Sequence, residues 1–167
     1  MYIRHTSTSV IATSLRDIAR LGSCVLELNL SNSNDLVCHQ LMCEHLGDAC
    51  SCRLALALER VPCLQRLDLS KNQLRALPDA LFALQSLKTL NIQHNRLTTL
   101  STDVYKLMQL ETLDVRYNHL TTLPVEYLET LENLETLRVK GNDKLIHRLQ
   151  DRQLNLSDKL KTKIVLD

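Results

Sequence analysis

Apolar positions in the middle of this chain fall into one repeated spacing: an apolar residue, a second three positions on, a third two further, and an asparagine three beyond that. The pattern reads Leu64-Leu67-Leu69-Asn72, Leu87-Leu90-Ile92-Asn95, Leu110-Leu113-Val115-Asn118 and Leu134-Leu137-Val139-Asn142, with starts 23, 23 and 24 residues apart. A fixed period of this size marks a stack of small units. The two apolar residues two positions apart predict a short strand with its apolar side chains on one face. No single copy can bury that face, so the copies must stack and share one core.

Each copy continues with further leucines: Leu74, Leu77-Pro78, Leu81 and Leu84, then Leu97, Leu100, Val104 and Leu107, then Leu120, Leu123-Pro124, Leu128 and Leu131. On these residues the chain resembles the leucine-rich repeat proteins, and the Leu-Pro step resembles their intracellular typical class. The resemblance implies an α/β leucine-rich repeat solenoid, or horseshoe, of about five turns, with a parallel β-sheet on the concave face and helical caps at both ends. It specifies a fold more than a function, because many activities share this scaffold.

Length and composition point to a single domain, since glycine and proline number only three each and no linker-like stretch divides the chain. Residues 64–142 form the regular repeats. Residues 25–63 form an irregular first unit: Val25-Leu28-Leu30 starts the pattern, but the next copy begins only at Leu64. The run from Arg53 to Leu69 resembles a ribonuclease-inhibitor-type repeat, which implies a helix-backed unit with helices over 36–46 and 54–61. After Asn142 the pattern dissolves, as a terminal repeat should. Residues 143–167 read as a basic C-terminal cap with a helix over 144–150 and another over 158–164, the latter N-capped by Ser157.

Residues 1–24 support two readings. Val10, Ile11, Leu15, Ile18 and Leu21 recur at helical spacing, which fits an amphipathic cap helix. The same stretch is rich in Ser, Thr and Arg with Asp17 as its one acid, which fits a mitochondrial transit peptide.

The six cysteines, Cys24, Cys38, Cys43, Cys50, Cys52 and Cys63, all lie in or beside the first unit. Their spacings do not form the paired Cys-x2-Cys knuckles of zinc sites, so no metal is expected. Disulfides would suit a secreted relative, but no secretory h-region is present. Reduced thiols filling gaps in the core are the ordinary use of the residue.

Charge changes the picture through its distribution. The totals, 20 basic and 19 acidic side chains, give no case for bulk attraction to nucleic acid or membrane. Yet Glu111 to Glu135 holds six acids against Arg116 alone, whereas Arg138 to Lys163 holds eight bases against three acids. One end of the solenoid is therefore expected to be basic beside an acidic turn.

Residues between the pattern leucines should face out of the concave side, and equivalent positions on neighbouring strands should form ladders. These run Glu27, Arg66, Thr89, Thr112, Thr136; then Asn29, Asp68, Asn91, Asp114, Arg138; then Ser31, Ser70, Gln93, Arg116, Lys140; and last Asn32, Lys71, His94, Tyr117, Gly141. Such polar ladders suit a wet, charge-guided interface. The expected partner-binding residues are Asp68, Lys71, Asn91, Gln93, His94, Asp114, Arg116, Tyr117, Arg138 and Lys140, with an acidic protein segment as the partner. Ser70, His94 and Asp68 or Asp114 could be drawn as a catalytic constellation. An open polar face, however, provides no oxyanion hole and no nucleophile turn, so no enzyme and no cofactor are expected. The reading is a monomeric, cytoplasmic interaction module or adaptor. Its alternative is a structural subunit of a larger assembly, of mitochondrial location, in contact through its caps or convex helices.

Overall fold

A computed structural model describes residues 10–39, 50–151 and 153–166. Among these described residues, seven strands form one open parallel sheet in strict chain order: β1 (Ile11–Ala12), β2 (Glu27–Asn29), β3 (Arg66–Asp68), β4 (Thr89–Asn91), β5 (Thr112–Asp114), β6 (Thr136–Arg138) and β7 (Ile164–Val165). Each turn of chain leaves its strand, crosses the back of the molecule and returns beside its predecessor, which makes an α/β solenoid. The central strands pair in the register that the repeat implies: Leu28, Leu67, Leu90, Leu113 and Leu137 stand side by side.

The apolar positions of the pattern form one continuous core. Leu64, Leu67, Leu69, Leu87, Leu90, Ile92, Leu110, Leu113, Val115, Leu134, Leu137 and Val139 are each no more than 1% exposed. Opposite the strands lie α2 (Ser51–Leu58), two 3-10 helices at Asp79–Ala83 and Thr102–Lys106, and α3 (Val125–Leu128). These compact segments, shorter across the back than full helices, suit a period of 23 residues. Phe82, the one phenylalanine, is buried among them.

The stack is closed at the bends by its asparagines. Asn95 donates through Nδ2 to the Leu69 and Ile92 carbonyls at 2.9 and 3.0 Å, and its Oδ1 accepts from the Leu74 and Asn72 amides at 2.9 and 3.2 Å. Asn72, Asn118 and Asn142 make equivalent bonds across adjacent turns. All four are buried. Their amides satisfy backbone groups that would otherwise be buried without partners.

The ends differ from the sequence expectation in detail. Helix α1 (Leu15–Leu21) does not begin at Val10, because Ile11 and Ala12 pair with Glu27 and Leu28 as an extra strand. Ser14 accepts from the Asp17 amide at 3.1 Å while the Asp17 carboxylate reaches back to the Thr13 amide at 3.1 Å, a reciprocal cap that fixes the start. No helix begins at Leu36. Ser33 instead caps a 3-10 turn over Asn34–Leu36 and Val37 is extended; the rest of the expected 36–46 helix, with Cys43, lies outside the described residues. The helix expected over 54–61 is α2, three residues earlier, because Cys50 is extended and caps it.

At the other end, α4 (Asp143–Gln150) and α5 (Asp158–Lys163) match the expected helices, the second with Ser157 accepting from the Leu160 amide at 3.3 Å. Ile164 does not continue α5. It opens β7, which pairs Ile164 and Val165 with Leu137 and Arg138 and so covers the sheet edge beside β6.

Candidate functional site

The open face of the sheet divides into columns with different duties. In the column of Asn29, Asp68, Asn91 and Asp114, each side chain accepts a hydrogen bond from the amide two residues on: Ser31 at 2.9 Å, Ser70 at 2.8 Å, Gln93 at 3.2 Å and Arg116 at 3.1 Å. These Asx turns bend the chain out of each strand. The column therefore shapes the backbone as well as presenting polar groups, a role its sequence did not distinguish from surface display. Asn91 also donates to Asp68 at 2.9 Å, which ties these two expected site residues together.

The next-but-one column, Asn32, Lys71, His94, Tyr117 and Gly141, lies in the left-handed region, with φ between 50 and 72°. The bends at Lys71, His94 and Tyr117 are each held by the asparagine of their own turn and that of the next, and the bend at Asn32, where Ser33 replaces the asparagine, is held by Asn72. The shared backbone geometry aligns their side chains. The His94 and Tyr117 rings stack at 4.3 Å with 13° between their planes. At the end of the stack, Gly141 leaves room for Tyr117: a Cβ there would press into the ring at Cδ1. Gly141 thus serves both the positive φ and the close approach of the ring.

The basic corner is assembled on β5 and β6. Arg116 donates to Asp114 through Nε at 3.0 Å to both oxygens and through a terminal nitrogen at 2.7 Å, while Arg138 stands 3.9 Å from the same carboxylate. Asp114 is 4% exposed, so it reaches a partner only through the arginines it orients. That separates it from the other expected contacts: Arg138, Lys140, His94, Tyr117 and Lys71 are exposed, and Arg116, Gln93, Asn91 and Asp68 are half-buried. Lys71 has no ion pair or ring contact with the corner among the described residues. Arg138 stands where the other turns carry an Asx, which is why the positive charge gathers at this end.

The catalytic constellation is not assembled. The Ser70 hydroxyl is 3% exposed and pairs with that of Ser31 at 2.8 Å, while His94 faces Tyr117. Among the described residues, no group of three or more His, Cys, Asp or Glu side chains is placed to hold a metal.

One feature of the flank was not visible in the strand pattern. Beside the Tyr117 stack, a hollow of about 560 Å³ is lined by Thr98, His119, Leu120, Thr121, Gly141, Asp143 and Lys144. It shares Thr121, Asp143 and Lys144 with a second hollow that adds His147, Arg148 and Gln153. These residues come from three separate turns and α4, and only the stacking of the turns makes them neighbours.

Family models described as leucine rich repeat match residues 62–108 and 109–131. No curated protein matches the chain by sequence. Among solved structures, an LRR protein of Leptospira interrogans is 26% identical with a TM-score of 0.62 over 87% of this chain. Two internalins of Listeria monocytogenes, inlF and C2, are 20% and 18% identical with TM-scores of 0.53 and 0.52, over 80% and 95% of this chain. The chain covers 37% of the Leptospira protein, 36% of inlF and 78% of internalin C2.

Proposed function

This chain is a leucine-rich repeat protein, and from that premise we propose that it is a non-enzymatic interaction module that receives an acidic segment of a protein partner on its concave face. The observation that carries the reading is the corner of Arg116, Arg138 and Lys140, beside the exposed edge of the His94–Tyr117 stack. A buried carboxylate pre-orients Arg116 there, so little side-chain freedom is lost on binding. Arginine and tyrosine are also the residue types over-represented at binding hot spots.

Arg138→Gln with Lys140→Glu tests the placement, since glutamine removes the charge without setting a second carboxylate against buried Asp114. Both side chains are exposed, and neither belongs to the asparagine bends or the core. The tagged protein and the variant are used in parallel to capture partners from native cells at rising salt. Proteins retained by the native chain at low salt are expected to be missing from the variant, with the two melting curves superimposed. Equal retention by a variant that melts like the native chain contradicts the placement.

A second reading, a structural subunit of a larger assembly, is favoured by the opposite surface. Tyr105 and Tyr127, 5.9 Å apart, are 40% and 39% exposed across the back, and Met108 nearby in sequence is 48% exposed. Exposed apolar side chains of this size suit a permanent contact.

A further inference from the structure

The thiols of the first unit are not absorbed by the binding role. Cys38 and Cys50 are buried, whereas Cys24, Cys52 and Cys63 are exposed. Gap-filling in the core therefore does not describe all of them. Two stand in a special relation. Cys50 is extended (φ −127°, ψ 142°) and Ser51 opens α2, so the chain turns sharply between Cys50 and Cys52 and brings their sulfurs to 2.8 Å. The Cys50 sulfur also accepts from the Cys52 amide at 3.3 Å, which holds the two residues together at the first turn of α2. The two sulfurs lie inside ordinary van der Waals contact, and a disulfide would draw them to roughly 2.05 Å.

We propose that Cys50 and Cys52 form a dithiol–disulfide couple, oxidised by hydrogen peroxide. The burial of the two sulfurs assigns the order of events. Cys52, exposed, meets the oxidant: its sulfur attacks one peroxide oxygen, the O–O bond breaks, and the departing hydroxide takes up the thiol proton as water. The sulfenic acid so formed lies beside Cys50, which is only 2% exposed. The Cys50 sulfur attacks that of Cys52, the S–O bond breaks, and the oxygen leaves with the Cys50 proton as a second water. Two thiols and one peroxide thus give one disulfide and two waters; the sulfurs lose two electrons and the peroxide oxygens gain them. The adjacent buried thiol intercepts the sulfenic acid before a second peroxide can carry it to the irreversible sulfinic stage.

The sequence offers a clean readout. Cleavage of the full chain after Glu44 and Arg53 releases residues 45–53, in which Cys50 and Cys52 are the only cysteines. The folded protein is treated with hydrogen peroxide, remaining thiols are blocked with N-ethylmaleimide, and the digest is weighed. Segment 45–53 is expected to be unblocked and lighter by two hydrogens, to recover two blockable thiols after dithiothreitol, and to close at lower peroxide than Cys24 or Cys63 reacts. In Cys50→Ser, Cys52 is expected to advance to the sulfinic acid instead. The proposal is overturned if segment 45–53 carries two maleimides where Cys24 and Cys63 are already oxidised, if it is linked to another segment, or if native Cys52 becomes sulfinic as readily as in the variant.

Discussion

Asn95 shows how much a single side chain carries in this fold. Its amide serves two bends at once, donating to carbonyls of its own and the preceding turn and accepting from two amides of the preceding turn. Asn95→Ala leaves these buried groups without partners and is expected to cost about 1–3 kcal/mol, read as a lower urea midpoint with an unchanged slope. Gly141 makes a different residue-scale demand. Gly141→Ala places a methyl against the Tyr117 ring and a side chain at φ 72°; the backbone part alone is expected to cost about 1–2 kcal/mol. The ring part is separable: the same substitution should cost less in a Tyr117→Ala background, and equal costs in both backgrounds would show that the ring does not press on Gly141. The asparagines were legible in the sequence because they recur in phase with the leucines. The Asx column was not, because an Asp that bends its own backbone and an Asp that awaits a partner occupy the same polar position. Gly141 read there only as one more member of a ladder, since the need for it comes from Tyr117 on the neighbouring turn.

Among the elements, the ends of the solenoid rest on carboxylates acting as hydrogen-bond acceptors. Asp17 is held below the ordinary carboxylate range chiefly by the Thr13 amide, and also by Ser14 and Arg20. Glu129 is lowered by the Ser157 amide, which joins the start of α5 to α3 at 2.9 Å. Asp158 is lowered by Lys161. A carboxylate whose folded value is depressed contributes stability above its unfolded value and loses it as pH falls through the folded one. Stability is therefore expected to decline in acid below the ordinary carboxylate range, and Glu129→Gln should flatten that decline. A Glu129→Gln profile parallel to that of the native chain would remove this contact from the explanation. The central strands could be read from period alone. β1 and β7 could not: a strand of two residues shows no alternation, and Ile11 and Ile164 fit a helical face as well as an edge. What decides them is the unpaired edge of the neighbouring strand, a fact of the assembled sheet.

At the scale of the whole molecule, near-neutral total charge conceals a polar arrangement. Arg138 and Lys140 sit on the open face at one end, with Lys144 and Arg148 on the adjoining flank. Most of this asymmetry was legible as a run of bases after Arg138; the flank was not, because its walls meet only when turns stack. No described helix is long and apolar enough to cross a membrane. The open face and the back of the solenoid make competing claims, and each carries marker residues of its own. The most direct test is a backbone NMR titration of the labelled chain with a partner obtained by capture. Shifts are expected to concentrate at Gln93, His94, Arg116, Tyr117, Arg138 and Lys140 and to weaken together as salt is raised. Shifts confined to Tyr105, Met108 and Tyr127, and indifferent to salt, would overturn the placement and move the interface to the back of the solenoid.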